Sequence, residues 1–243
     1  MSPAAVSFLV PDIHSPVLGP VTVLASHLIP DYEVEIVGPD FGHGVCPMYR
    51  DAFPYKVISC PRIYRWPDYF WESRRLAAAL TGHVIVAVKA FATSLPVALQ
   101  ARRRRQAKVI AYLDEWDGAL MARLSPTQKM MRWIKHVHHP VDDIYCPWVE
   151  RLLPGCDHVL STTTALQKRF GGAVLPMGVD LDVFSPRPKE ESIRLRRELD
   201  LKDRNLIVFG GVVRPHKGIE LILDSLAAIG NPSNALVIVG PVN

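Results

Sequence analysis

Five apolar residues in succession, Val84-Ile85-Val86-Ala87-Val88, stand between a segment of helical periodicity at 69–80 and another at 96–105. A strand with apolar side chains pointing both ways needs cover on both faces, and flanking helices supply it. The pattern continues along the chain. Strand-like runs at 6–10, 33–37, 56–59, 108–113, 157–160 and 173–175 accompany the run at 84–88, and a further helical run lies at 21–28. Such alternation predicts an α/β fold: a doubly wound parallel sheet with helices on both faces, its ligands lying beyond the carboxyl ends of the strands. The region between 113 and 157 is long and mixed.

A second strand–helix–strand unit follows at 206–209, 219–229 and 236–239. Its first strand ends in Gly210-Gly211, and its helix is preceded by Arg214 and by Lys217-Gly218. Glycines at a strand end let the backbone come close to a ligand, and a helix start aims unpaired N–H groups at the same spot. Arg214 contributes a planar fork and Lys217 a mobile ammonium, both suited to phosphate oxygens. A nucleotide diphosphate fits such a loop. Solvated cations on an ordinary strand–loop–helix are the alternative that these residues alone leave open.

Upstream stands Val174-Leu175-Pro176-Met177-Gly178-Val179-Asp180-Leu181-Asp182-Val183-Phe184, then a charged helical run at 190–199. In that order, these segments resemble the retaining nucleotide-sugar glycosyltransferases of family 4. There, Pro-x-Gly-Val-Asp-x-x-x-Phe marks the passage between two domains, and the Arg…Lys-Gly loop after it holds the donor diphosphate. The resemblance implies a GT-B fold. Residues 1–177 would form a Rossmann-like acceptor-side domain, and 178–243 the hinge and the first βαβ of a Rossmann-like donor domain. It implies transfer of a sugar from a nucleotide-diphosphate donor to a hydroxyl acceptor with retention, without metal or cofactor. Lys217, Arg214, Gly210 and Gly211 would bind the diphosphate. The family's Glu-x7-Glu segment is absent. The chain is therefore expected to be a partial or split protein, inactive alone and completed by a complementary C-terminal chain.

The sequence departs from the family pattern at several points. The usual Arg stands five or six positions before the Lys, where this chain has Gly211 or Val212, and Met177 stands where Asn is frequent. The first loop, 11–20, has one glycine, Gly19, in place of a pair; Gly19 and His14 are its candidates for contact with phosphate or acceptor. A loop histidine without a role is the alternative for His14. In Ala111-Tyr112-Leu113-Asp114-Glu115-Trp116-Asp117, Leu113 occupies the position of the family's histidine. Asp114 is the nearest group able to orient or deprotonate an acceptor, or it caps the next helix.

Composition narrows the classes further. Of 243 residues, 49% are hydrophobic and 21% charged, as in globular domains, and a net charge of +4 is weak for a nucleic-acid binder. No apolar run of about twenty residues occurs, and the first residues read as a strand without a basic leader. Cys46, Cys60, Cys146 and Cys156 lack paired spacing and read as reduced thiols of a cytosolic protein. His136, His138 and His139 lack supporting carboxylates, so no metal site is expected. Arg102 to Arg105 end a helix, where cations suit the dipole; residues 129–136 mix apolar and basic side chains at helical spacing. Packing on the domain is expected for that helix. Contact with an anionic membrane, at the inner face and with a membrane-anchored acceptor, is the alternative for both segments. A GT-B nucleotide-sugar epimerase, and a non-catalytic half that binds a partner chain, are the rival functions.

Overall fold

The computed structural model describes residues 4–63, 65–139, 142–181, 184–213 and 217–240. The chain divides into two compact units, Met1–Asp180 and Leu181–Asn243. In the first, β1 (Ala5–Leu9), β2 (Glu33–Asp40), β3 (Lys56–Ser59), β4 (Val84–Val88), β5 (Lys108–Leu113), β6 (His158–Ser161) and β7 (Ala173–Val174) form one sheet. Its order is β3-β2-β1-β4-β5-β6-β7, and every pairing is parallel. The chain winds outward from β1 to β3 and resumes at β4 on the other side of β1. That reversal is the switch point of a doubly wound sheet.

Strand periodicity places alternate side chains in two cores. On one face Phe8, Val10, Ile36, Val86, Val88 and Tyr112 pack under α1 (Leu18–Leu28), through Leu18, Val21 and Ala25. On the other face Leu9, Val37, Ile85, Ala87, Val109 and Leu113 meet α2 (Asp68–Ala79) and α3 (Leu95–Arg105), through Leu76, Leu95 and Ala98. Both faces are apolar because both are covered. The mixed region contains α4 (Ala119–Arg123), α5 (Pro126–His136) and α6 (Cys146–Val149), with 3-10 turns beside α6; α7 (Thr164–Phe170) follows β6. Arg102, at the end of α3, donates to the Gly155 carbonyl at 2.5 Å, so one of the four arginines ties the helix to the domain.

The second unit holds α8 (Lys189–Glu198), β8 (Asn205–Gly210), α9 (Ile219–Ile229) and β9 (Asn234–Val239). β8 and β9 pair in parallel with α9 as the connection between them. Ile219 is buried, whereas Val208, Leu221 and Ile229 are exposed. Two strands and a connecting helix leave most of their apolar surface uncovered within this unit.

One buried polar residue interrupts β1. Ser7 is fully buried; its Oγ donates to Glu35 and accepts the Gly82 N–H at 2.8 Å. Glu35 Oε1 also accepts the Thr81 N–H at 2.7 Å, and Lys56 lies 3.4 Å from Oε2. Burial works against the Glu35 carboxylate, but these donors outweigh it and hold its pKa below the ordinary value. The network fixes β1, β2 and the entry to β4 at the amino edge of the sheet. Ser7→Ala is expected to lower stability by about 1–3 kcal/mol, since the Gly82 N–H loses its acceptor. Urea denaturation of the two proteins measures this.

Candidate functional site

The loops that leave the carboxyl ends of β1, β4, β5 and β6 are stitched to one another. Thr93 Oγ1, after β4, donates to the Pro11 carbonyl after β1 at 2.7 Å. Thr162 Oγ1, after β6, donates to the Asp114 carbonyl after β5 at 3.0 Å. Between these two links lies Lys89, the first residue beyond β4, with its side chain only 10% exposed. Its backbone is in the left-handed region, with φ 63°. That strained conformation is held by its own N–H donating to the Tyr112 carbonyl at 2.8 Å and by Ser94 Oγ donating to its carbonyl at 2.7 Å.

The turn at Lys89 sends its ammonium across to the segment after β5. Nζ donates to Glu115 Oε1 at 2.5 Å and to Asp117 Oδ1 at 3.1 Å. It also lies 3.0 Å from Asp114 Oδ1, an ion pair without hydrogen-bond alignment. Three carboxylates therefore share one buried cation. Burial disfavours the ammonium, yet Asp117, Asp114 and Glu115 outweigh it and hold the Lys89 pKa above its ordinary value. Asp117 shows the other side of this imbalance. Its side chain is 4% exposed and its Oδ2 has no hydrogen-bond partner. Burial, reinforced by repulsion from Asp114 and Glu115, exceeds the attraction of Lys89 and raises its pKa to about 6.

Asp114 does not cap the following helix: α4 begins after Gly118, with no side-chain cap, and the Gly118 N–H donates to Glu150 at 3.0 Å. Its carboxylate belongs to the Lys89 cluster at the carboxyl edge of the sheet. Trp116, between these acids, lies under the Arg169 guanidinium at 3.5 Å from the ring centre. Lys89 carries no sequence motif. The signal available was its place directly after one buried strand, with Asp-Glu-Trp-Asp directly after the next.

In the first loop, the His14 N–H donates to Asp12 Oδ1 at 2.8 Å, and Nδ1 lies 3.2 Å from the Gly44 carbonyl. A carbonyl only accepts, so Nδ1 is the donor in this contact. Gly19 lies in the first turn of α1, where a Cβ would come within 2.6 Å of the Tyr49 hydroxyl. Its small size serves this close approach. Among the described residues, no group of three or more His, Cys, Asp or Glu is placed to hold a metal; His136 instead pairs with Asp142 at 3.0 Å. The four cysteines are free thiols, and burial raises Cys60 to about 12 and Cys156 to about 11.

In the second unit, β8 ends at Gly210. Gly211 follows with φ 133° and donates its N–H to the Val239 carbonyl at 2.8 Å. No neighbour lies within 4 Å of where a Gly210 Cβ would stand. α9 begins at Ile219, after Gly218 with φ 73° and no side-chain cap. Lys217 is exposed beside this uncapped start. Arg214 lies outside the described residues. Gly210 ends β8, Gly211 follows it and Lys217 stands two residues before α9, while Asp114, His14 and Gly19 belong to the first unit.

HepE of Anabaena, crystallised with UDP and glucose, matches 98% of this chain with a TM-score of 0.66 at 17% identity. UDP-N-acetylglucosamine 2-epimerase of Rickettsia bellii matches 98% at 0.53 and 10% identity. UGT2 of Phytolacca americana, complexed with UDP-2-fluoroglucose and pterostilbene, matches 98% at 0.51 and 11% identity. The fold is GT-B. The chain spans 62% of the HepE chain and 62% of the Rickettsia chain. No family model matches it, and no curated protein matches it. Among the described residues, no helix is long and apolar enough to cross a membrane.

Two outcomes follow from the Lys89 cluster of this GT-B chain. Lys89→Met strands buried carboxylates and is expected to cost about 3–5 kcal/mol in chemical denaturation at neutral pH. The second concerns Asp117, whose folded pKa is raised from 3.8 to about 6. Between those values the folded state keeps a proton that the unfolded chain has released. The Asp117 contribution is therefore complete below pH 3.8 and is lost as pH rises through about 6. Relative to Asp117→Asn, wild-type stability should fall by about 3 kcal/mol across that window. Denaturation curves of both proteins at several pH values measure the difference.

Proposed function

We propose that this chain carries the acceptor-side domain and the opening of the donor-side domain of a glycosyltransferase. It moves a sugar from a nucleotide-diphosphate sugar to a hydroxyl acceptor with retention, as in family 4, with the division at residues 177 and 178. The observation that carries this reading is the second unit of a GT-B fold: β8 ends at Gly210-Gly211, and α9 opens uncapped immediately beyond Lys217-Gly218. Departure of the diphosphate concentrates negative charge on its oxygens. The Lys217 ammonium and the first N–H groups of α9 meet that charge as it grows, and this lowers the barrier. Arg214, three positions earlier in the sequence, is the second cation of the proposal. No protein nucleophile is needed when attack and departure share one face of the sugar.

On the acceptor side, Asp114 receives the hydroxyl, positioned by Lys89, and His14 and the loop at Gly19 bound the same edge. The donor nucleotide to test first is UDP, since HepE was crystallised with UDP-glucose. An epimerase would use the carboxylates after β5 directly. Here Glu115 and Asp117 accept hydrogen bonds from Lys89 while Asp114 is only ion-paired with it, which leaves a single carboxylate to meet an acceptor and favours transfer. The exposed apolar side chains Val208 and Leu221 support a complementary chain as a further partner.

Calorimetric titration with UDP, and UDP-glucose consumption with and without hydroxyl acceptors, test the proposal on the intact gene product. Lys217→Ala is expected to weaken UDP binding and slow transfer by about ten- to a hundredfold, the worth of one charge-assisted contact. The loss should fall on kcat as well as KM, because the charge grows in the transition state. Unchanged kinetics in Lys217→Ala removes the diphosphate assignment. Conversion of a UDP-sugar to its epimer without acceptor establishes the rival enzyme.

A further inference from the structure

Helix α5 is attached to its domain by the wrong face for an ordinary amphipathic helix. Its inner contacts are polar and aromatic. The Arg132 guanidinium pairs with Asp143 and, at 3.7 Å, with Asp142; His136 Nδ1 lies 3.0 Å from Asp142. The Trp133 ring packs on Trp148 and Tyr145, with centres 4.7 and 5.5 Å apart. The aliphatic side chains point away from the domain. Met130, Met131 and Ile134 are 60, 70 and 72% exposed, and Val137 extends the same stripe. No residue of the helix is buried. A helix of this kind normally turns its apolar stripe inward. This one is also formed locally: Ser125 and Gln128 make a capping box and Pro126 opens the first turn. Its exposed stripe thus belongs to a helix specified by its own residues.

We infer that the exposed face of α5 is a docking site for an anionic lipid bilayer. Charge selects this occupant. From 118 to 141 the sequence has no Asp or Glu, but has Arg123, Lys129, Arg132, Lys135 and three histidines. Arg132 is consumed by its acidic partners; Lys135 is exposed beside Ile134 and Met131, and Lys129 is half-buried one turn away. One indole flanks the stripe and a second lies behind the helix. Trp66 donates its indole N–H to the Val137 carbonyl at 3.1 Å and is itself half-exposed, and Trp148 is exposed on the inner side. Aliphatic side chains flanked by cations, with an indole ring beside them, match the headgroup–acyl boundary of a negatively charged membrane. The helix lies on such a surface and does not cross it. Docking by α5 does not depend on the proposed sugar chemistry.

Co-sedimentation with vesicles of phosphatidylcholine alone, and with equal parts of phosphatidylcholine and phosphatidylglycerol, tests the inference on the intact chain. The chain is expected to sediment with the mixed vesicles and to be released by salt. Ile134→Ser with Met131→Ser should weaken binding by about tenfold or more, and Lys135→Glu by about fivefold or more. These side chains are exposed, so the melting curves should stay unchanged. As a second measurement, a fluorophore on Met131→Cys should be quenched by brominated acyl chains. Absence of sedimentation with mixed vesicles, or an unquenched fluorophore on sedimented protein, overturns the inference. So does equal binding to neutral vesicles that ignores Lys135→Glu. A dimer dispersed by Ile134→Ser, without vesicle binding, overturns it in favour of a second copy of the chain.

Discussion

The parallel pairing of β1 with β4 is the contact on which the rest of the first unit depends. Val6, Ser7, Phe8 and Leu9 align with Val84, Ile85, Val86 and Ala87, although the chain completes two further strands and two helices between them. Apolar side chains on both faces make that pairing favourable only under cover from α1 on one side and α2 and α3 on the other. Because the winding reverses here, the loops after β1 and β4 leave over opposite faces and open a crevice at the carboxyl edge. Ser7 at the amino edge and the Thr93–Pro11 hydrogen bond at the carboxyl edge hold the two strands in register.

That crevice contains a concentrated electrostatic conflict. One largely buried ammonium faces two carboxylates withdrawn from water, Asp114 and Asp117, and the exposed Glu115, so Lys89 stays charged and Asp117 holds its proton to about 6. Such a cluster is expensive to assemble and contributes little net stability compared with apolar packing. Its structural effect is directional: it ties the segment after β5 to the end of β4 and sets where Asp114 stands. In the proposed reaction, that fixed position is what an acceptor hydroxyl would meet.

The two units differ in how they satisfy their apolar surfaces. The first buries a continuous core on each side of its sheet, while the second has a single buried aliphatic residue, Ile219, among its described residues. Helix α5 is a third case within the first unit. Arg132 and His136 find partners inward while Met130, Met131 and Ile134 stay exposed, so the local sequence pattern predicts the helix correctly while the direction of its apolar face is reversed.

The sequence by itself determined the strand–helix alternation, the parallel sheet and the second βα unit, because the period of apolar side chains is a local property. Helix α9 falls at 219–229 as its pattern predicts, and the strand at 84–88 likewise, since each needs only its own residues and its punctuating glycines. The edges were less legible: β2 runs to Asp40 and α1 begins at Leu18, where tertiary packing extends elements beyond their strongest periodicity. Asp114 was legible as a residue at a strand end, but its partner was not. Lys89 lies 26 and 28 positions from the acids to which it donates, and the left-handed turn that aims it has no signature in a lysine codon. Only the lateral register of β4 against β5 brings these charges together. The same holds for α5, whose amphipathic pattern is written in its residues, whereas the face it presents was decided by Asp142, Asp143, Tyr145 and Trp148 drawing its polar side inward.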